Sequence, residues 1–201
     1  MAKKFLSAAA AALFVSASLV TVAAPAQAAE APAATASSST EATARYDLKP
    51  AYTVSALKAP GYAGSVAIHA ENVGTDRYFG EFPVVSFKVE VKTASGPKGV
   101  DRLITPSWYN GAYVRDLGFN TETSTRTFIV TLSNPVKAGE SQLIGSLSFG
   151  DGLTSEGRLT NYIEVTQVGR IAGDTSSGND QRVDSRQATL TDFGNPNKGI
   201  F

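Results

Sequence analysis

The chain has 201 residues, with 18 basic and 18 acidic side chains, one histidine and no cysteine. That length suits one ordinary domain with extensions rather than two. Balanced charge gives no electrostatic case for nucleic acid or an anionic membrane surface as partner, and without thiols there is no disulfide, Cys-ligated metal site or acyl attachment point.

Residues 1–28 read as an export signal. Lys3 and Lys4 form a basic start, Phe5 to Ala24 carry no charge, Pro25 breaks the run, and Ala26-Gln27-Ala28 supplies a small-x-small cleavage pattern. The uncharged stretch is long enough to span a bilayer. Its alanine-rich, moderately apolar character and the adjoining cleavage pattern nevertheless favour removal over anchoring. The processed chain is expected to start near Ala29, with a formal charge of −2 once Lys3 and Lys4 are gone. It is expected to be extracellular, or associated with the cell wall or envelope, without stable membrane insertion.

Residues 29–45 (AEAPAATASSSTEATAR) hold almost no large apolar side chain and are expected to be a disordered linker, with Ser and Thr open to O-linked sugars. From Tyr46 the pattern changes to short alternating runs between Gly, Pro and Asn. Tyr52, Val54 and Ala56 alternate with polar or small residues. Val66, Ile68 and Ala70 oppose Ala67, His69 and Glu71 before an Asn72-Val73-Gly74 turn. Clearest is Val84 to Lys92, with Val85, Phe87, Val89 and Val91 on one face and Ser86, Lys88, Glu90 and Lys92 on the other. Side chains alternate across a strand with period two, so each run predicts a strand with one dry and one wet face.

Trp108-Tyr109 and Ala112-Tyr113-Val114 flank Asn110-Gly111, a pair that tolerates positive φ at both positions and predicts a two-residue hairpin. Phe128, Val130 and Leu132 precede Asn134-Pro135. Leu143, Leu147 and Phe149 precede Gly150-Asp151-Gly152. Ile163 and Val165 lie in a run ending near Gly169, and Gln181 to Leu190 is expected to be a last, weaker strand. No helical stripe follows the leader. The fold class is all-β: a single antiparallel sandwich of about 7–9 strands over residues 46–192, followed by a C-terminal tail at 193–201. Clean alternation argues against a parallel sheet, whose strands read as continuous apolar runs.

Three stretches resemble the bacterial conserved-repeat domains of the DUF11 type and the related CARDB adhesion modules. They are Val66-Ala-Ile-His-Ala-Glu-Asn-Val-Gly-Thr-Asp76, Asn134-Pro-Val-Lys-Ala-Gly-Glu-Ser141, and Asn161-Tyr-Ile-Glu-Val-Thr166 followed by Gly173-Asp-Thr-Ser-Ser-Gly-Asn-Asp180. The chain departs from the family in carrying one copy rather than an array, and Ser-Ser-Gly in place of an Asp-Pro-rich turn. The resemblance implies an immunoglobulin-like fold and a non-catalytic surface module used for adhesion.

Among chemistry-bearing residues, His69 is alone and no Gly-x-Ser-x-Gly nucleophile turn occurs, so nucleophilic catalysis has no visible frame. Asp and Glu are scattered, and no spacing singles out a catalytic pair. Two candidate sites stand out. Asp174, Asn179, Asp180 and Asp184, with Asp151 from a neighbouring turn, offer the hard oxygens that calcium takes, although the same residues build ordinary turns. Trp108, Tyr109 and Tyr113 offer aromatic surface to a sugar ring or a protein, with Trp108 the one most suited to the core. The expected function is a secreted or surface-associated, non-catalytic module that binds a protein or a cell-wall glycan, needing no cofactor unless calcium. The alternatives are a polysaccharide-active enzyme or its carbohydrate-binding accessory, and a pilin-like subunit with an open edge strand.

Overall fold

Alternation of the kind in Val84 to Lys92 has one stable outcome, a sheet whose dry face is covered by another dry face. The computed structural model describes residues 44–55, 64–192 and 197–201. The expected export signal 1–28 lies outside the described residues, as does the expected linker up to residue 43. Ala44 and Arg45, read as linker, belong to the fold. The Thr75 N–H donates to the Ala44 carbonyl (3.1 Å) and the Asp76 N–H to that of Arg45 (3.0 Å). A side chain at Gly74 would sit 2.7 Å from the Arg45 carbonyl oxygen, which is why the turn after Asn72 ends in glycine.

The strands run β1 (Leu48–Val54), β2 (Gly64–Asn72), β3 (Ser86–Ser95), β4 (Ile104–Trp108), β5 (Tyr113–Asn120), β6 (Thr125–Thr131) and β7 (Ser141–Phe149). Then come β8 (Leu153–Thr154), β9 (Gly157–Arg158), β10 (Thr160–Gly169), β11 (Val183–Asp184), a helical turn α1 (Ser185–Ala188) and β12 (Thr189–Asp192). One sheet has the order β12-β1-β2-β7-β4, the other β11-β10-β3-β6-β5, and β8-β9 form a separate ribbon. The inner faces share one core, in which Tyr52, Ile68 and Leu147 of the first sheet join Phe87, Phe128 and Ile163 of the second. The Tyr52 hydroxyl spans the layers to the Val183 carbonyl at 2.6 Å. The described residues thus form an all-β, mostly antiparallel two-sheet architecture.

The inward and outward faces of β2 and β3 follow the expected alternation, His69 included. Four expectations are corrected. Asn110-Gly111 is a tight turn, with φ of 55° and 69° and the Ala112 N–H donating to the Tyr109 carbonyl at 3.0 Å. It is not a hairpin, because β4 pairs with β7 and β5 with β6, so the turn carries the chain from one sheet to the other. Secondly, Gln181 to Leu190 is not one strand. Asp184 accepts the Arg186 N–H (2.8 Å), and Ser185 Oγ accepts the Ile163 N–H (3.0 Å) and donates to the Gly199 carbonyl (2.7 Å). These local bonds outcompete ladder pairing and make a helical turn between two short strands.

Thirdly, β12 lies parallel to β1, an exception to the all-antiparallel expectation. Finally, the described end of the expected tail, residues 197–201, is tied into the fold. Phe201 is fully buried, its backbone exchanges hydrogen bonds with Asn161 (2.7 and 2.9 Å), and its ring stacks on Phe149 at 5.2 Å. A smaller shift concerns β7. A register irregularity at Ile68/His69 leaves Ile144 buried and Leu143 only partly so.

Among the described residues, all four edges of the two five-stranded sheets carry features that discourage further strand pairing. Pro106 interrupts the donor row of β4, and the register shift between Asp116 and Gly118 kinks β5 around Leu117. β11 has two residues and β12 four.

Candidate functional site

Outward-facing residues of β3, β6 and β5 fall into rows set by register. Ser86 pairs with Thr131 and Thr131 with Tyr113; Lys88 pairs with Ile129 and Ile129 with Arg115. Against the first row stands the turn closed by the Val84 N–H donating to the Glu81 carbonyl (2.8 Å), which projects Phe82 beside a cis Phe82–Pro83 peptide. The Phe82 and Tyr113 rings meet edge to face at 6.0 Å. They are 56% and 61% exposed, so neither is spent on the core. Together with Pro83, Ser86, Arg115, Ile129 and Thr131 they enclose a groove of about 350 Å³, within the size range of small-molecule sites.

The three aromatics expected to cluster take different places. Trp108 packs against the core, 5.8 Å from Phe128. Tyr109 stays exposed at the turn, and Tyr113 alone enters the groove. The turn itself is pinned by Asn110 Nδ2 donating to the Leu143 carbonyl (2.6 Å) and Ser133 Oγ to that of Gly111 (2.6 Å). Phe82 was missed by the sequence reading. Its signal was a large apolar residue inside a Gly-Glu-Phe-Pro turn, where burial is not expected.

The calcium candidates do not converge on one point. Arg170 reaches Asp174 Oδ2 at 3.2 Å and Asp180 Oδ1 at 2.6 Å, so a guanidinium supplies the positive charge between those carboxylates. Hydrogen bonding to Asp180, ahead of the opposing cost of burial, raises the Arg170 pKa. Asp174 also accepts the Tyr78 hydroxyl at 2.5 Å, and burial followed by this bond pushes the Tyr78 pKa well up. Asn179 donates to Asp47 Oδ2 at 3.1 Å. Asp184 caps α1 and pairs with Arg186. Asp151 lies by the far end of β10, where it accepts the Leu153 N–H at 2.9 Å. Among the described residues no three His, Cys, Asp or Glu side chains gather as a metal cluster.

Two carboxylates that no spacing had singled out do face each other. Glu90 and Glu164 are direct partners across β3 and β10. Lys92 contacts both, and Lys88 and Arg182 add further positive charge, at 3.2 Å from Glu90 and 3.5 Å from Glu164 respectively. His69 lies on the outer face of the other sheet, its Nε2 3.1 Å from Thr53 Oγ1, and partial burial lowers its pKa. A shallow hollow of about 460 Å³ on that sheet is lined by Thr53, Val54, Ser55, Ser65, Ala67, Ser146 and Thr191, with neither an aromatic ring nor a charge. The Phe82–Tyr113 groove has both.

No protein-family model and no curated protein matches the chain. Among the described residues no helix is long and apolar enough to cross a membrane.

Proposed function

We propose that this chain is an exported, non-catalytic β-sandwich module of immunoglobulin-like type that binds a component of the cell envelope, with the Phe82–Tyr113 groove as its contact surface. The groove carries the reading: the exposed Phe82 ring on its turn and the exposed Tyr113 ring on β5 meet edge to face beside Arg115, an apolar surface with a cation that suits a bound ligand. Export rests on the Lys3-Lys4 start, the uncharged run to Ala24 and the Ala26-Gln27-Ala28 pattern. The immunoglobulin-like assignment rests on the DUF11/CARDB resemblance and agrees with a two-sheet architecture. A non-catalytic role is favoured because Glu90 and Glu164 are neutralised by Lys92 rather than set apart across a cleft. A pilin-like role is disfavoured by the blunted edges.

The test is capture of the full chain on intact cells, purified wall and secreted proteins, beside the double variant Phe82→Ala/Tyr113→Ala. The expected result is retention of the wild type by intact cells or purified wall and at least tenfold less retention of the variant at an unchanged melting temperature, whereas retention by secreted proteins alone counts against the reading. Equal retention of the two proteins, or none of either, refutes the reading.

A further inference from the structure

We propose that the groove takes an acidic saccharide, with a pyranose ring against the Phe82–Tyr113 pair and its anionic group on Arg115; the inference rests on the binding-module reading and names the ligand class of that same groove. The first ground is charge. Arg126 holds Asp101 and Asp116, Arg170 holds Asp174 and Asp180, and Arg186 holds Asp184. Arg115 pairs with no carboxylate among the described residues, although it lies in the groove wall two positions from Tyr113. Lys88 occupies the same cross-strand row, with Ile129 between the two cations. Glu90, on the same face of β3 as Lys88, is already held by Lys88 and Lys92. Asp116, next in sequence to Arg115, is held by Arg126 at 2.6 Å. The groove therefore presents an unspent guanidinium, whose planar fork matches a carboxylate or phosphate.

The second ground is the rings. In an edge-to-face pair, the ring that supplies the edge keeps both its faces clear of its partner. The electron-rich face of an aromatic attracts polarised C–H groups such as those along a pyranose. The third is the floor, where the Ser86 and Thr131 hydroxyls, side by side in register, can each donate and accept, as sugar hydroxyls require. A peptide added as a strand would need an open edge. The groove lies on the sheet face instead, and the neighbouring edge is kinked at Leu117.

The probes are an oligogalacturonate, a phosphodiester-linked hexose oligomer, a neutral glucan oligosaccharide of similar length and an acidic peptide, each titrated into the full chain and followed by calorimetry and by amide NMR shifts. The expected result is that at least one acidic saccharide binds, that the glucan binds at least tenfold more weakly, and that shifts centre on Ser86, Tyr113, Arg115 and Thr131. The two acidic saccharides separate carboxylate from phosphate as the recognised group. Arg115→Gln should lose at least tenfold in affinity for the acidic saccharide with its melting temperature unchanged, while Arg115→Lys keeps part of it. Binding of the glucan as tight as that of the acidic saccharides, unaltered binding by Arg115→Gln, absence of binding by both acidic saccharides, or the acidic peptide binding as tightly would each overturn the assignment. If envelope capture still depends on Phe82 and Tyr113 in any of those cases, the module reading stands and only the ligand class falls.

Discussion

Gly145 lies in β7 directly beneath the indole of Trp108, its partner across β4 and β7. A Cβ built on Gly145 falls well inside contact distance of Trp108 Cε3 and Cζ3. In Gly145→Ala the ring has two options: stay and compress its surroundings, or swing off Phe128, from which it is now 5.8 Å. Overpacking of this kind costs about 1–3 kcal/mol. Removing a glycine from the unfolded chain returns about 0.4–1 kcal/mol. The net expectation is a loss of about 1–2 kcal/mol, which for a domain of this size lowers Tm by about 2–8 °C. Trp108 is the only tryptophan, so its emission reports this site alone. The variant should melt earlier and emit further to the red, as the indole gains water. Gly178→Ala, where a Cβ meets nothing within 4 Å, serves as the control and should do neither. Unchanged emission and melting in Gly145→Ala would show that Trp108 does not rest on this glycine, and the account of β4 packing on β7 would fail.

Arg102 is 5% exposed and donates to the Phe201 carbonyl oxygen (2.7 Å), to Asn161 Oδ1 (3.2 Å) and to the Gly150 carbonyl. Burial lowers its pKa to about 10, so it stays charged at neutral pH. Arg102→Ala strips donors from buried acceptors and should cost about 2–4 kcal/mol by urea denaturation; a midpoint equal to wild type refutes the clamp. His69 has a folded pKa below its ordinary value of 6.5 because burial disfavours the imidazolium. The unfolded chain then takes up the proton first, so stability falls as pH drops below 6.5 and levels off beneath the folded pKa. His69→Gln should remove that component from Tm measured against pH, and identical curves for the two proteins would contradict it. Because Arg170 already lies between Asp174 and Asp180, melting midpoints in calcium and in chelator should coincide, and a higher midpoint in calcium would refute this.

The strands were legible because alternation is a local property: Phe87, Val89 and Val91 declare their face whatever the partner strand is. Turn chemistry was legible for the same reason, as at Asn110-Gly111 and Asn72-Val73-Gly74. Asp184 and Ser185 were misread because their capping bonds reach Arg186, Ile163 and Gly199, contacts that a strand pattern does not encode. Of the groove, Tyr113 was visible as an aromatic near a turn. Phe82 was not, since it stands 31 positions from Tyr113 and meets it only once β5 pairs with β6 and the Glu81–Val84 turn folds over β3. Arg115 shares the face of Tyr113 by alternation along β5, but its lack of a carboxylate partner among the described residues is set by the tertiary structure.

Composition and period-two patterning by themselves determined that this chain forms strands with one dry face, since burying apolar side chains every second residue leaves no other regular structure. Which sheet each strand joins, and with it the partition of Trp108 to the core and Tyr113 to the groove, was decided only in three dimensions. The reason is that backbone hydrogen bonds between strands are chemically alike, so partner choice is set by how the whole apolar surface closes.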